Sequence, residues 1–401
     1  MSEIVMRIRA DGTKLWFKGN PHNYHRDEDL PAIIKIDGTK KWYKNGKLHR
    51  DEDLPAVIKA DGEKKWYING KIHRDGDLPA VIDSDGDKEW YINDKLYRTE
   101  CDGINKWYKN GKLHRDDDLP AVIKVDGNKK SKKWYRGGKL HRDDDLPAIM
   151  KANGDKKWYI NGKMHRSRDL PAVIKVDGNK EWYINHKLHR DNDLPAVEYA
   201  DGTKQWYING KHHRNNDLPA TEHEDGSKAW YQNGKLHRDG DLPAIIEANG
   251  DKYWYVNGEL QRSKKANGKK DWYVNGELQR SENADGDKIW YVNGEIQRSE
   301  SDNGDKHWYV NSELQRTEEA DGTKYWYVNG KCNRIEEADG DKHWYVNSEL
   351  WRTEEADGTK YWYVNGKCNR IEEADGDKIW YVNGKLHRFE NADGIHFIDS
   401  D

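Results

Sequence analysis

The sequence predicts an all-β fold, an elongated, twisted, single-layer antiparallel meander of about eighteen β-hairpin repeats, open as a ribbon or curled into a solenoid. Three observations carry this. A Trp, followed by Tyr in every unit but the first, recurs eighteen times along the 401 residues. Most units hold two hairpin signals, N-G after W-Y, as at Asn69-Gly70, and D-G or N-G before the next Trp, as at Asp61-Gly62. These pairs interrupt the chain every eight to sixteen residues, too often for a long helix.

The units come in two lengths. From Trp134 to Trp254 the step is 24 residues, and from Trp254 to Trp380 it is 18. Residues 1–250 are therefore read as long repeats carrying D-L-P-A, 251–392 as short repeats without it, and 393–401 as a C-terminal cap and tail. Within a unit, Asn69-Gly70 as a two-residue loop sets Ile68 opposite Lys71, Tyr67 opposite Ile72, Trp66 opposite His73 and Lys65 opposite Arg74. Both N-G and D-G are expected to form type I′ turns, since Asn, Asp and Gly best tolerate positive φ. Leu-Pro-Ala, present nine times from Leu30 to Ala244, brings a residue that cannot donate to a ladder and predicts a bulge or corner at one edge. Trp326–Ile335 recurs almost unchanged at Trp362–Ile371, the mark of tandem duplication.

Composition limits what such a sheet can enclose. Hydrophobic residues make up 34% of the chain, against roughly 45–50% in an ordinary globular domain, yet 19 Trp and 23 Tyr separate it from a disordered one. The apolar surface is aromatic and spread thinly along the repeat, as in arrays whose units stack on their neighbours. No apolar run is long enough to span a bilayer, and Met1 to Ala10 lack the core of a signal peptide, so the expected location is intracellular, in the cytoplasm. Cys101, Cys332 and Cys368 have no metal-binding spacing. Residues 251–401 hold 22 basic and 31 acidic side chains and residues 1–250 hold 47 and 42, a balance that argues against nucleic acid as a partner.

The motif W-Y-x-N-G-K-L-H-R-D-x-D-L-P-A-V-I, at Trp42–Ile58 and Trp107–Ile123, resembles the MORN-related repeats of giant DNA viruses and phages. The resemblance covers almost the whole chain. It implies a sheet of short hairpins used for protein or lipid contacts, in a host cytoplasm or a virion if the chain is viral, and, through one relative, an antitoxin-like inhibitor. The chain departs from the MORN pattern where His-Arg-Asp stands in place of a second glycine. The short units, W-Y-V-N-G after a D-G start, are also similar to choline-binding repeats, which implies an aromatic-lined site for a choline-like cation or a sugar.

An Arg follows Trp by eight residues in seventeen units, and Arg26 stands for it in the first. The expected role is structural, a guanidinium laid on Tyr of an adjacent hairpin or paired with a carboxylate. The alternative is a binding stripe in which Arg50, Arg74, Arg115 and Arg142 meet an anion. Candidate ligand-binding aromatics are Trp254, Trp272, Trp290, Trp308, Trp326, Trp344 and Trp362, with Trp351 as an extra Trp in place of His or Gln. His49, Asp51 and Asp53 could offer donors to a divalent cation, but turn capping and pairing with Arg50 account for them without one. Asp83, Asp85 and Asp87 start like a calcium loop, and Lys88 stands where that loop needs Gly. No motif of nucleophilic, zinc-dependent or nucleotide-dependent catalysis occurs. The expected function is a non-enzymatic scaffold, without cofactor or metal, that binds proteins multivalently; the alternatives are an aromatic-ladder module for a small ligand and an inhibitor of the antitoxin kind.

Overall fold

The computed structural model describes residues 3–398 and shows the predicted class, an antiparallel sheet built from successive hairpins with no helix among the described residues. It forms two compact units, residues 3–215 and 216–398. Without helices, no segment here is a helix long and apolar enough to cross a membrane. The first strand, Ile4–Ile8, pairs with Lys14–Lys18, and the last, Gly394–Phe397, pairs with Lys385–Asn391. The end of the expected C-terminal tail, residues 399–401, lies outside the described residues.

The two turn signals behave differently. At Asn69-Gly70 both residues have positive φ, 52° and 85°, and Ile68 pairs with Lys71 and Tyr67 with Ile72, the type I′ hairpin that N-G predicts. At Asp61-Gly62 only the glycine does, at 95°. There the Gly62 N–H donates to Lys59 O, Lys59 N–H to Glu63 O and Glu63 N–H to Asp61 Oδ1. This is a three-residue loop, a type I turn closed by a left-handed glycine, so the expectation of I′ at D-G is corrected. Asp acts as a side-chain acceptor that fixes the turn rather than as a residue of positive φ.

The long repeats are interrupted where a plain meander would run on. Lys64–Lys65 pairs with Val57–Ile58 and Val81–Ile82, and the chain then leaves this ladder at Trp66, whose N–H donates to Ala80 O at 2.8 Å. Tyr67–Ile68 and Lys71–Ile72 form a separate two-stranded ribbon, and His73 N–H returns to Trp66 O. The D-L-P-A segment then turns over the sheet. In all nine copies the Asp and the residue before it have positive φ, the Asp between 49° and 54°, and in most the Leu N–H closes the turn on the residue three before it, as Leu54 does on Asp51 O. The edge corner expected from Leu-Pro-Ala is thus a loop packed on the face of the sheet. All nine of its alanines are fully buried, and with Trp42, Trp66, Trp134 and their equivalents they form the core of the long repeats.

Short repeats lack this cover and their strands run unbroken, from Lys252–Val256 onward as five residues paired with six. Each carries one β-bulge. In Lys288–Val292 against Glu295–Glu300, Tyr291 pairs with Ile296 but Trp290 pairs with Arg298, leaving Gln297 as the extra residue. The expected register, Trp opposite the residue before Arg, is corrected by this single insertion. Its consequence is large, because it moves Arg onto the face of Trp.

A fully buried Ala leaves no room for growth. Ala172→Leu should destabilise its unit by about 1–3 kcal/mol through overpacking. Hydrogen exchange should quicken at the amides flanking Trp158 and Trp182 while distant units keep their protection.

Candidate functional site

Each of the eighteen Arg side chains lies over the Trp of its own unit, not over a neighbouring Tyr as expected. Through Trp254 the guanidinium carbon stands 3.8 to 4.1 Å from the ring centre. In a long unit the same Arg closes two more contacts. Arg74 stacks on Trp66, donates through Nε and Nη2 to both carboxylate oxygens of Asp53 at 2.7 and 2.8 Å, and donates through Nη1 to Pro79 O at 3.2 Å. Asp53 belongs to the preceding loop and Pro79 to Arg74's own. The indole Nε1 of Trp66 completes the joint by donating to Asp53 O at 2.9 Å. A planar guanidinium can be stacked and bidentate at once, which Lys cannot.

His49 links the loops on the outside. Its Nδ1 accepts the N–H of Asn69 in the next unit, which leaves the proton on Nε2 to be donated to Asp51 at 2.8 Å. The donor set considered for a cation is thereby used internally, with His49 on Asp51 and Asp53 on Arg74. The expected pairing with Arg50 is corrected too, since Arg50 reaches back to Asp29. Among the described residues Glu373, Asp375 and Asp377 bring three carboxylates close together on the surface.

In the short units the Asp of the loop is absent and Glu replaces it. Arg298 Nη2 donates to Glu300 at 2.7 Å, and Lys288 Nζ reaches the other oxygen of the same carboxylate at 3.0 Å. With no loop to cover it, the guanidinium lies between two indoles, 4.6 Å from Trp290 and 5.6 Å from Trp308. The ladder of Trp and Arg continues to Arg388, which ends it between Trp380 and Phe397.

The space where a choline-like cation would lie between Trp290, Trp308, Trp326, Trp344 and Trp362 therefore holds the chain's own arginines. Arg50, Arg74 and Arg142 are held by their carboxylates, and Arg115 by Trp107 and Pro120 O. Trp351 is the extra residue of its bulge and is exposed. Open space lies elsewhere, in grooves between successive loops. One of about 390 Å³ runs from His49–Leu54 to His73–Gly76 over Trp66 and Tyr67, and one of about 530 Å³ lies past the last loop, floored by Trp254 and Trp272. Sequence reasoning expected a carboxylate partner for Arg but missed that it is the Asp of the preceding loop; the signal was the loss of Asp and gain of Glu two residues after Arg in the same units.

Arg50 holds the Asp29 carboxyl below the usual range, and Arg74, Arg142, Arg166, Arg190 and Arg238 do the same for Asp53, Asp118, Asp145, Asp169 and Asp217. Lys288 lowers Glu300, and its equivalents lower Glu282, Glu318, Glu336 and Glu372. A depressed carboxyl stabilises the fold above its unfolded pKa and loses that effect as pH falls through the folded one. The melting temperature should fall steeply below about pH 4 as these carboxylates are protonated. Arg166→Lys keeps the charge but loses the fork, and should cost about 1–3 kcal/mol, read as faster exchange of the Trp158 indole proton.

No protein-family model matches the chain, and no curated protein does. Among solved structures it is similar to the TCP10 domain of Danio rerio CPAP in its E1021V mutant, at 15% identity over 42% of this chain and 91% of that one, with a TM-score of 0.22. It is also similar to the TCP10c domain of Drosophila melanogaster Sas-4, at 17% identity over 44% and 96%, TM-score 0.15. A third similarity is to TcdB2-TccC3 without its hypervariable C-terminal region, at 11% identity over 96% of this chain and 26% of that one, TM-score 0.17. Superpositions this loose carry no argument about what the chain does.

Proposed function

We propose that the chain is a non-enzymatic repeat scaffold that holds other proteins through many equivalent weak contacts. The observation that carries this is a row of identical exposed apolar groups on a backbone whose Trp and Arg are spent on internal joints. Every D-L-P-A loop presents its Leu to solvent, 36 to 44% exposed in all nine, while the Ala two residues later is fully buried. In the short units the residue before N-G or N-S does the same, with Val256, Val274, Val310 and the other valines of the row about half exposed. One exposed Leu is ordinary, but a periodic row offers a partner the same contact at each step. Contacts too weak to hold singly become firm when several engage one partner or one oligomer. The resemblance to MORN-related repeats supports the same reading and extends it to a viral setting, in the host cytoplasm or the virion.

Proximity labelling with the full chain in its native cell would supply partners for kinetic measurement. Replacing Leu54, Leu78 and Leu119 by Asn, singly and together, should leave the fold intact and speed dissociation of a captured partner step by step, by roughly tenfold or more for the triple variant. A loss carried wholly by one of the three, or no loss in the triple, would sink the multivalent reading.

A further inference from the structure

The row of loops ends at Asp241, and the short unit that follows departs from its neighbours at one side chain. Two residues after Arg, the other short units carry Glu, as at Glu100, Glu282, Glu300 and on to Glu390; the unit of Trp254 and Arg262 carries Lys264. The register sets Lys264 opposite Lys252 on one side and Lys270 on the other, three cations in a ladder that elsewhere alternates Lys and Glu. Like charges placed directly opposite are destabilising. Glu282 engages Lys270 at 2.6 Å, but among the described residues Lys252 and Lys264 have no carboxylate partner.

Arg262 is under-supplied as well. It keeps the stack on Trp254 and a single 3.1 Å bond to Asp241, with neither the bidentate pair nor the Pro carbonyl that Arg74 or Arg166 has. The unit of Trp90 also lacks D-L-P-A, and this earlier break in the row is sealed from within. There Arg98 takes Glu100 at 3.1 Å and Asn105 at 2.8 Å, and the Tyr97 hydroxyl takes Asp77. At the second break Gln261 turns its amide to Glu259 O instead. Beside Arg262 the cleft of about 530 Å³ opens over Trp254 and Trp272, with Val256 and Val274 along it. The carboxylates on its rim, Asp239 and Asp241, are already engaged by His237 and Arg262.

We propose that this junction docks a segment of a partner protein in which an acidic residue lies two positions from an apolar one. The carboxylate supplies the charge that Glu supplies in the other short units and pairs with Lys252 and Lys264. The apolar side chain enters the cleft over Trp254 and Trp272. Two residues of extended chain cover about 7 Å, the same step that separates Lys264 from Arg262 along the strand, so one short segment reaches both. The site rests on the reading of the chain as a protein-binding scaffold, but it occurs once and uses none of the loop leucines.

The test uses the full chain and a fluorescein-labelled peptide, Asp-Asp-Asp-Leu-Pro-Ala-Ile, which copies residues 143–149 and so the element missing at this junction. Fluorescence polarisation should show binding that weakens from about 0.05 to 0.5 M salt. K264E restores the alternating ladder, so it should hold or raise the melting temperature while weakening the peptide by roughly tenfold or more. Unchanged affinity in K264E, equal binding of Lys-Lys-Lys-Leu-Pro-Ala-Ile, or no binding at millimolar peptide would each overturn the proposal. So would self-association of the chain that K264E abolishes, which would make a second copy the occupant. Peptide binding that survives Leu54→Asn and Leu78→Asn keeps this site distinct from the row, so the two readings can fail separately.

Discussion

Everything in the repeat hangs on a guanidinium laid flat on an indole. A single-layer sheet has no interior in which to bury a Trp, and one left open on both faces would forfeit most of the free energy that so large a side chain can contribute. Arg answers this by covering the ring with a surface that is itself weakly hydrated and attracted to the π face, at about 0.5–2 kcal/mol a contact. Because its edge remains free to donate, the same group can tie the covered Trp to a carboxylate. Stacking and ion pairing at one residue replace the thick core that the composition cannot supply.

The two repeat lengths are two ways of completing that joint. In the long form the carboxylate arrives on a loop that also roofs the Trp, and Trp66 and its equivalents are nearly inaccessible. In the short form it comes from the next position but one on the same strand, as Glu300 does for Arg298, and the roof is the neighbouring indole. Deleting six residues therefore does not break the array so long as Glu appears as D-L-P-A goes. Where one change occurred without the other, at Lys264, the lattice is left a carboxylate short.

The hairpins were legible because N-G narrows the backbone to one turn, and Asn69-Gly70 folds as its composition demands. The D-G turn was half legible: Gly62 needs its left-handed conformation, but whether Asp61 joins it depends on loop length, which the dipeptide does not encode. The bulge at Gln297 was not legible, since nothing in an extra polar residue marks it as unpaired, and missing it put Trp and Arg on opposite faces. The loop was hidden for a different reason. Asp53 and Arg74 are 21 residues apart, and only their meeting makes a left-handed Asp and a buried Ala80 worthwhile. Of the rings proposed to bind a ligand, Trp290 and its later equivalents lie against arginines, whereas Trp254 and Trp272 also floor the open cleft past the last loop and Trp351 is exposed.

The forward reach of that pair also gives the array a direction in time. Asp53 can be locked only when Arg74 has been synthesised, so each loop stays open until the following unit has left the ribosome, a lag of a few seconds at about 5–20 residues per second. No joint of this kind waits for a distant part of the chain. A nascent array is then finished everywhere except at its growing end, where one unroofed Trp is exposed at a time, and a stalled or truncated chain would carry a single raw joint rather than a misfolded body.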